Sequence, residues 1–179
     1  MIQIISGTNR PDSNTLKVAN DVLGIYEELN VDAELLDLAK MPPEIFFPGS
    51  YAEKPVTFEP FSQAVLEADG LHIITPEYNG SMPGVLKYFI DMLKFPESFE
   101  KRPVAFVGLA AGSWGALRAV EQLQTIFGYR NAYLYPDRVF IPGIHSVLDE
   151  EGKIKDESLQ KRLCVQADGF SAFTQKLKN

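Results

Sequence analysis

Short apolar runs and stretches with helical spacing take turns along the chain. Apolar runs at 2–6, 33–36, 71–75 and 104–109 read as strands, and 132–134 with a continuation at 138–141 reads as a fifth. The third run, with Leu71, Ile73 and Ile74, has the density of apolar residues that a strand covered on both faces needs. Between the runs, apolar residues recur every three to four positions, as in Val85, Leu86, Phe89, Ile90 and Leu93. Such a stripe predicts a helix with one buried face. Helices are predicted on this basis at 14–30, 61–68, 82–94, 114–128 and 156–177. Strands that alternate with helices imply βαβ units, because parallel strands need crossover connections. The pattern predicts an α/β, doubly wound, three-layer sandwich around a parallel sheet.

One segment departs from the pattern. Residues 41–60 hold five prolines and four aromatics. They read as a long surface loop whose aromatics cover a ligand, a partner subunit or the protein's own surface.

The length of 179 residues fits one domain over 1–179, and 45% apolar residues suffice for a sizeable core. A net charge of −7 argues against nucleic-acid binding, which takes clustered Lys and Arg. No apolar run approaches a membrane span, and the opening Met1–Ser6 stretch carries no basic leader region. A single cysteine, Cys164, excludes an intrachain disulfide and fits a reducing, cytoplasmic setting.

Three loops at strand ends carry the candidate chemistry. After the first strand, Ser6, Gly7, Thr8, Asn9, Arg10, Pro11, Asp12, Ser13, Asn14 and Thr15 crowd hydroxyls, amides and one cation into a turn that opens a helix. A helix N-terminus has free N–H groups and a positive dipole end, so this is a natural phosphate cradle. On the loop alone an ordinary N-cap beside a solvated Arg10 is the better explanation; its place at a strand end shifts the balance toward binding. It is neither G-x-x-x-x-G-K-[ST] nor G-x-G-x-x-G, which disfavours a P-loop ATPase and a dinucleotide-type Rossmann site. After the third strand, Pro76, Glu77, Tyr78, Asn79 and Gly80 begin a loop that lets backbone approach a flat ligand beside an aromatic face. After the fourth, Ala110, Ala111, Gly112 and Gly115 leave room for a planar group, and Trp114 either flanks it or packs on its own protein.

Few other residues offer chemistry. Glu77 has no carboxylate or His neighbour in sequence, so it reads as solvated or ion-paired and not as a general acid or base. His72 reads as a hydrogen-bonded core residue and His145 as a weak candidate for reaching substrate. Two distant His and one Cys predict no metal site. No G-x-S-x-G elbow supports a hydrolase triad. The loops together suit a mononucleotide with a large planar head, and FMN fits best.

The chain resembles the NADPH-dependent FMN reductase family, flavodoxin-like oxidoreductases that include quinone, azo-dye and chromate reductases. Gly7 to Ser13 matches the family's G-S-x-R-x-x-S, with Thr8 for Ser. Pro76 to Lys87 matches P-E-Y-N-G-S-x-P-G-x-L-K-N, with Tyr88 in place of the final Asn. Gly112, Gly115 and Arg118 match G-x-x-G-G-x-R, with Ala116 in place of a Gly. The resemblance implies a five-stranded flavodoxin-like sheet of order 2-1-3-4-5 with helices on both faces. It implies that Thr8, Arg10, Ser13, Asn14 and Thr15 hold the FMN phosphate. Pro76, Glu77, Tyr78, Asn79 and Gly80 would meet the isoalloxazine and ribityl, and Ala111, Gly112 and Gly115 the pyrimidine side. It further implies hydride transfer from NADPH or NADH through the flavin to a quinone-like, azo, flavin or metal-ion acceptor, and a homodimer or homotetramer. No side chain is assigned a catalytic role. A flavodoxin-type electron carrier, or a fold-retaining binding protein, stays open as the alternative.

Overall fold

The computed structural model describes residues 1–178. Its strands are β1 (Ile2–Ser6), β2 (Ala33–Asp37), β3 (Gly70–Pro76), β4 (Pro103–Leu109) and β5 (Tyr133–Ile141). All pair in parallel in one sheet, in the order β2-β1-β3-β4-β5. The helices are α1 (Asn14–Glu28), α2 (Glu59–Glu67), α3 (Gly84–Met92), α4 (Leu117–Tyr129), the short α5 (Ile144–Val147) and α6 (Glu157–Lys178). The doubly wound fold expected from the alternation and the strand order implied by the resemblance are both present.

Strand alternation sorts the core into two layers. Ile5, Leu71, Ile73, Val104 and Phe106 face α2, α3 and α4, meeting Val65, Leu86, Phe89, Leu123 and Phe127. Ile2, Ile4, Ile74, Ala105 and Val107 face the other way, onto Val18, Val22, Leu163, Ala167 and Phe170 of α1 and α6. Every residue of β1, β3 and β4 is buried, as strands covered on both faces must be.

Four departures from the sequence expectation have a local reason. Strand β5 runs unbroken through Pro136, because it is an edge strand. Its register against β4 jumps between Val104 and Phe106, from Leu134 to Arg138, so the proline sits in a bulge where no ladder donor is needed. Helix α4 begins at Leu117 and not 114, because Gly115 and Ala116 take positive φ of 55° and 69°. Helix α3 starts after Pro83 at its N-cap and stops where Leu93 turns extended. The 41–60 segment is not a bare loop. It winds through three 3₁₀ turns, Pro43–Phe46, Pro48–Tyr51 and Val56–Phe58, and drives Ile45 and Phe58 fully into the core. Phe46, Phe47 and Tyr51 stay exposed, with Phe46 and Tyr51 in ring contact with Tyr88.

Candidate active site

The loops that leave the carboxyl ends of β1, β3, β4 and β5 meet in one cleft of about 520 Å³. That is where open α/β sheets place ligands, beside the point where strand order reverses between β1 and β3. Its walls are residues 10–15 on one side, Pro76, Glu77 and Tyr78 on a second, and Leu109, Ala110 and Ala111 on a third. Ile144 and His145 of α5 close the remaining side. A second cleft of about 240 Å³ continues from it, lined by Asn79, Gly80, Gly112, Trp114, Ala116 and Arg118. Glu77, Ala110 and Ala111 belong to both, so the two form one elongated trough.

One end of the trough is built for an anion. Ser13 caps α1, its Oγ accepting from the Leu16 amide at 3.1 Å. The first-turn amides at Asn14 and Thr15 have no acceptor within the helix. Arg10 is exposed and forms no ion pair among the described residues. Asn14 Nδ2 lies 3.4 Å from Nδ1 of His145, which brings an imidazole to this end.

The other end is flat and poor in side chains. Asn79 and Gly80 both take positive φ, and Tyr78 and Ser81 exchange backbone bonds of 2.9 and 3.1 Å across them. This tight turn presents backbone to the trough, as the Asn-Gly pair foretells. Across from it, a Cβ built on Gly112 would have nothing within 4 Å, so the floor there is open.

The remaining predicted residues sit behind the walls. Thr8 is fully buried and shares a hydrogen bond with Tyr78 OH, so its side chain joins two loops. Gly115 packs under β5, where a Cβ would come within 2.8 Å of the Ile141 amide. Gly7 serves the strands in the same way, for a Cβ there would meet the Ile74 carbonyl at 2.8 Å.

Glu77 is ion-paired, its Oε1 accepting from Arg118 Nη1 at 2.8 Å. The partner lies 41 residues on, out of reach of sequence neighbourhood; the Arg that ends the third motif is its signal in the sequence. Two other candidates lie elsewhere. His72 is enclosed between Tyr26 OH at 2.9 Å and Gln166 Oε1 at 3.2 Å, and burial depresses its pKa to about 4. Cys164 is partly buried on α6; burial, then Glu28 and Asp21, push its thiol pKa up, which makes it a poor nucleophile.

The donor set fits FMN. The anion end supplies helix amides and an unpaired guanidinium. The flat end supplies backbone and small residues, and Tyr78 lines the larger cleft. Oε2 of Glu77 is buried without a partner in the shared wall.

Fold and trough together define a flavodoxin-like protein of the nucleotide-binding kind. A structure titled as a flavoenzyme NAD(P)H:(acceptor) oxidoreductase from Paracoccus denitrificans superposes with a TM-score of 0.82 at 24% identity, over 98% of this chain and 97% of its own. The sequence model of the NADPH-dependent FMN reductase family matches residues 1–146, and the chain belongs to that family. A 2-hydroxy-1,4-benzoquinone reductase of a Burkholderia species is 28% identical over 176 residues, 96% of this chain and 94% of its own length. An NAD(P)H-dependent FMN reductase of Pseudomonas aeruginosa is 28% identical over 178 residues, with 97% and 95% covered.

Proposed function

We propose that the trough holds FMN and that the protein reduces a small planar acceptor, of quinone, azo or flavin type, at the expense of NADPH or NADH. The observation that carries this is the convergence of three sequence-distant loops into one trough, cationic and amide-rich at one end and flat at the other. Arg10, Ser13, Asn14 and Thr15 bind the phosphate, with Thr8 holding their loop in place. Pro76, Glu77, Tyr78, Asn79 and Gly80 orient the ribityl and one side of the ring. Ala111 and Gly112 leave space at its pyrimidine side, and Gly115 shapes that loop from behind. When bound, FMN supplies hydride transfer between the nicotinamide and the acceptor. The protein's share is to bind, align and exclude water.

The single domain, 1–179, acts as a cytoplasmic homodimer or homotetramer without nucleic-acid partners. Supporting this are its net charge of −7 and a lone, partly buried cysteine. Exposed Phe46, Phe47, Tyr51 and Trp114 offer apolar surface for self-association. Among the described residues no helix is long and apolar enough to cross a membrane.

The visible spectrum of the purified protein tests the central claim. A bound-flavin spectrum that bleaches within seconds of anaerobic NADPH addition is expected. A protein that cannot be reconstituted with FMN refutes it. One that holds FMN but is reduced by neither nicotinamide is an electron carrier instead.

A further inference from the structure

A charge-neutral pair lies where the two halves of the trough join. Glu77 lines both clefts and Arg118 the second. The carboxylate is only 12% exposed, whereas the Arg118 side chain is 53% exposed. Oε2 of Glu77 has no hydrogen-bond partner, so the buried negative charge depends on the single Oε1 contact with Arg118 for its compensation. The arginine stem runs beside the tight turn, since a Cβ built on Gly80 would sit 3.9 Å from Arg118 Cδ. One negative and one positive charge are thus fixed in the walls that face a planar ligand.

We propose that the Glu77–Arg118 pair sets the reduction potential of the flavin by balancing charge beside its ring. The inference rests on the proposed occupation of the trough by FMN. Hydride transfer from the nicotinamide carries two electrons and one proton to the neutral ring. The nicotinamide leaves oxidised, and the ring gains one negative charge. Fixed charges beside the ring act on such an increment. With both partners present their effects largely cancel. Without Arg118, the bare carboxylate opposes the added negative charge. Without the carboxylate, Arg118 favours it.

The test compares Arg118→Ala, Glu77→Gln, the double variant and Arg118→Lys, each folded by circular dichroism and loaded with FMN. The readout is the potential of the bound flavin, equilibrated with reference dyes and no nicotinamide. Arg118→Ala is expected to weaken binding of reduced relative to oxidised FMN by about tenfold, a drop of about 30 mV for a two-electron couple. Glu77→Gln shifts the potential upward by a similar amount, and the double variant and Arg118→Lys stay near wild type. Shifts of the same sign in the two single neutralising variants, or none beyond about twofold in affinity ratio, overturn the proposal. So does loss of FMN from all four folded variants, which makes the pair a structural clamp. Failure of the wild-type protein itself to bind FMN is the separate failure of the functional reading.

Discussion

Thr8 and Tyr78, 70 residues apart in sequence, share a hydrogen bond of 2.9 Å beneath the trough. Thr8 Oγ1 also accepts from the Arg10 amide at 3.3 Å. The phosphate-side loop and the ring-side loop are therefore held in register by one part-buried contact, before any ligand arrives.

Tyr78→Phe keeps the aromatic face and removes the tie. A hydrogen bond of this kind contributes roughly 0.5–1.5 kcal/mol, so FMN affinity is expected to fall about two- to tenfold with the fold intact. Fluorescence titration checks it, and unchanged affinity shows that the tie does not preorganise the site.

Arg10→Ala combined with Ser13→Ala is expected to weaken FMN at least about tenfold while sparing riboflavin, because hydrogen bonds to charged groups contribute roughly 1.5–3 kcal/mol each. Ser13 also caps α1, so the double variant is less stable by about 1 kcal/mol as well. A thermal melt separates the two effects. Equal loss of FMN and riboflavin would place the phosphate elsewhere.

Glu77→Gln is expected to leave flavin reduction by NADPH largely intact, since the side chain donates no proton in that half-reaction. Stopped-flow absorbance on protein of verified flavin content measures it. A fall beyond about a hundredfold, the scale of general acid–base catalysis, gives Glu77 a chemical role.

His72 makes stability depend on acid. Burial holds its pKa near 4 in the folded protein, against 6.5 for an unperturbed histidine, so the unfolded chain takes up the proton first. The contribution is present in full above about pH 6.5 and is lost as pH falls toward 4. At about 1.4 kcal/mol per pKa unit the loss approaches roughly 3 kcal/mol. Urea midpoints across this range check it. His72→Phe removes the dependence if it folds; Gln166→Met, which keeps the histidine, should retain it.

The layered fold was legible because periodicity is a local property, and every strand and long helix follows from spacing alone. The trough loops were legible from residue chemistry, and Arg10, Ser13, Asn14, Thr15, Glu77, Tyr78 and Gly112 do line it. What stayed hidden depends on distant contacts. Ile45 and Phe58 lie in a proline-rich stretch with no period, and only the core shows that they anchor it. Likewise the family motif implies Thr8 as a phosphate contact, whereas its hydrogen bond to Tyr78 is a tertiary fact.

The match to the family model ends at residue 146, before α6 (Glu157–Lys178) begins. Yet Gln166 of that helix donates to the carbonyls of Phe106 at 3.0 Å and Asp137 at 2.8 Å and also faces His72, while Leu163, Ala167 and Phe170 roof the sheet. A chain cut after residue 146 would keep every motif and every wall of the trough, and would lose the lid of one core layer. The family model thus stops short of a helix on which one core layer rests, a helix that the relatives aligned over nearly the whole chain also span.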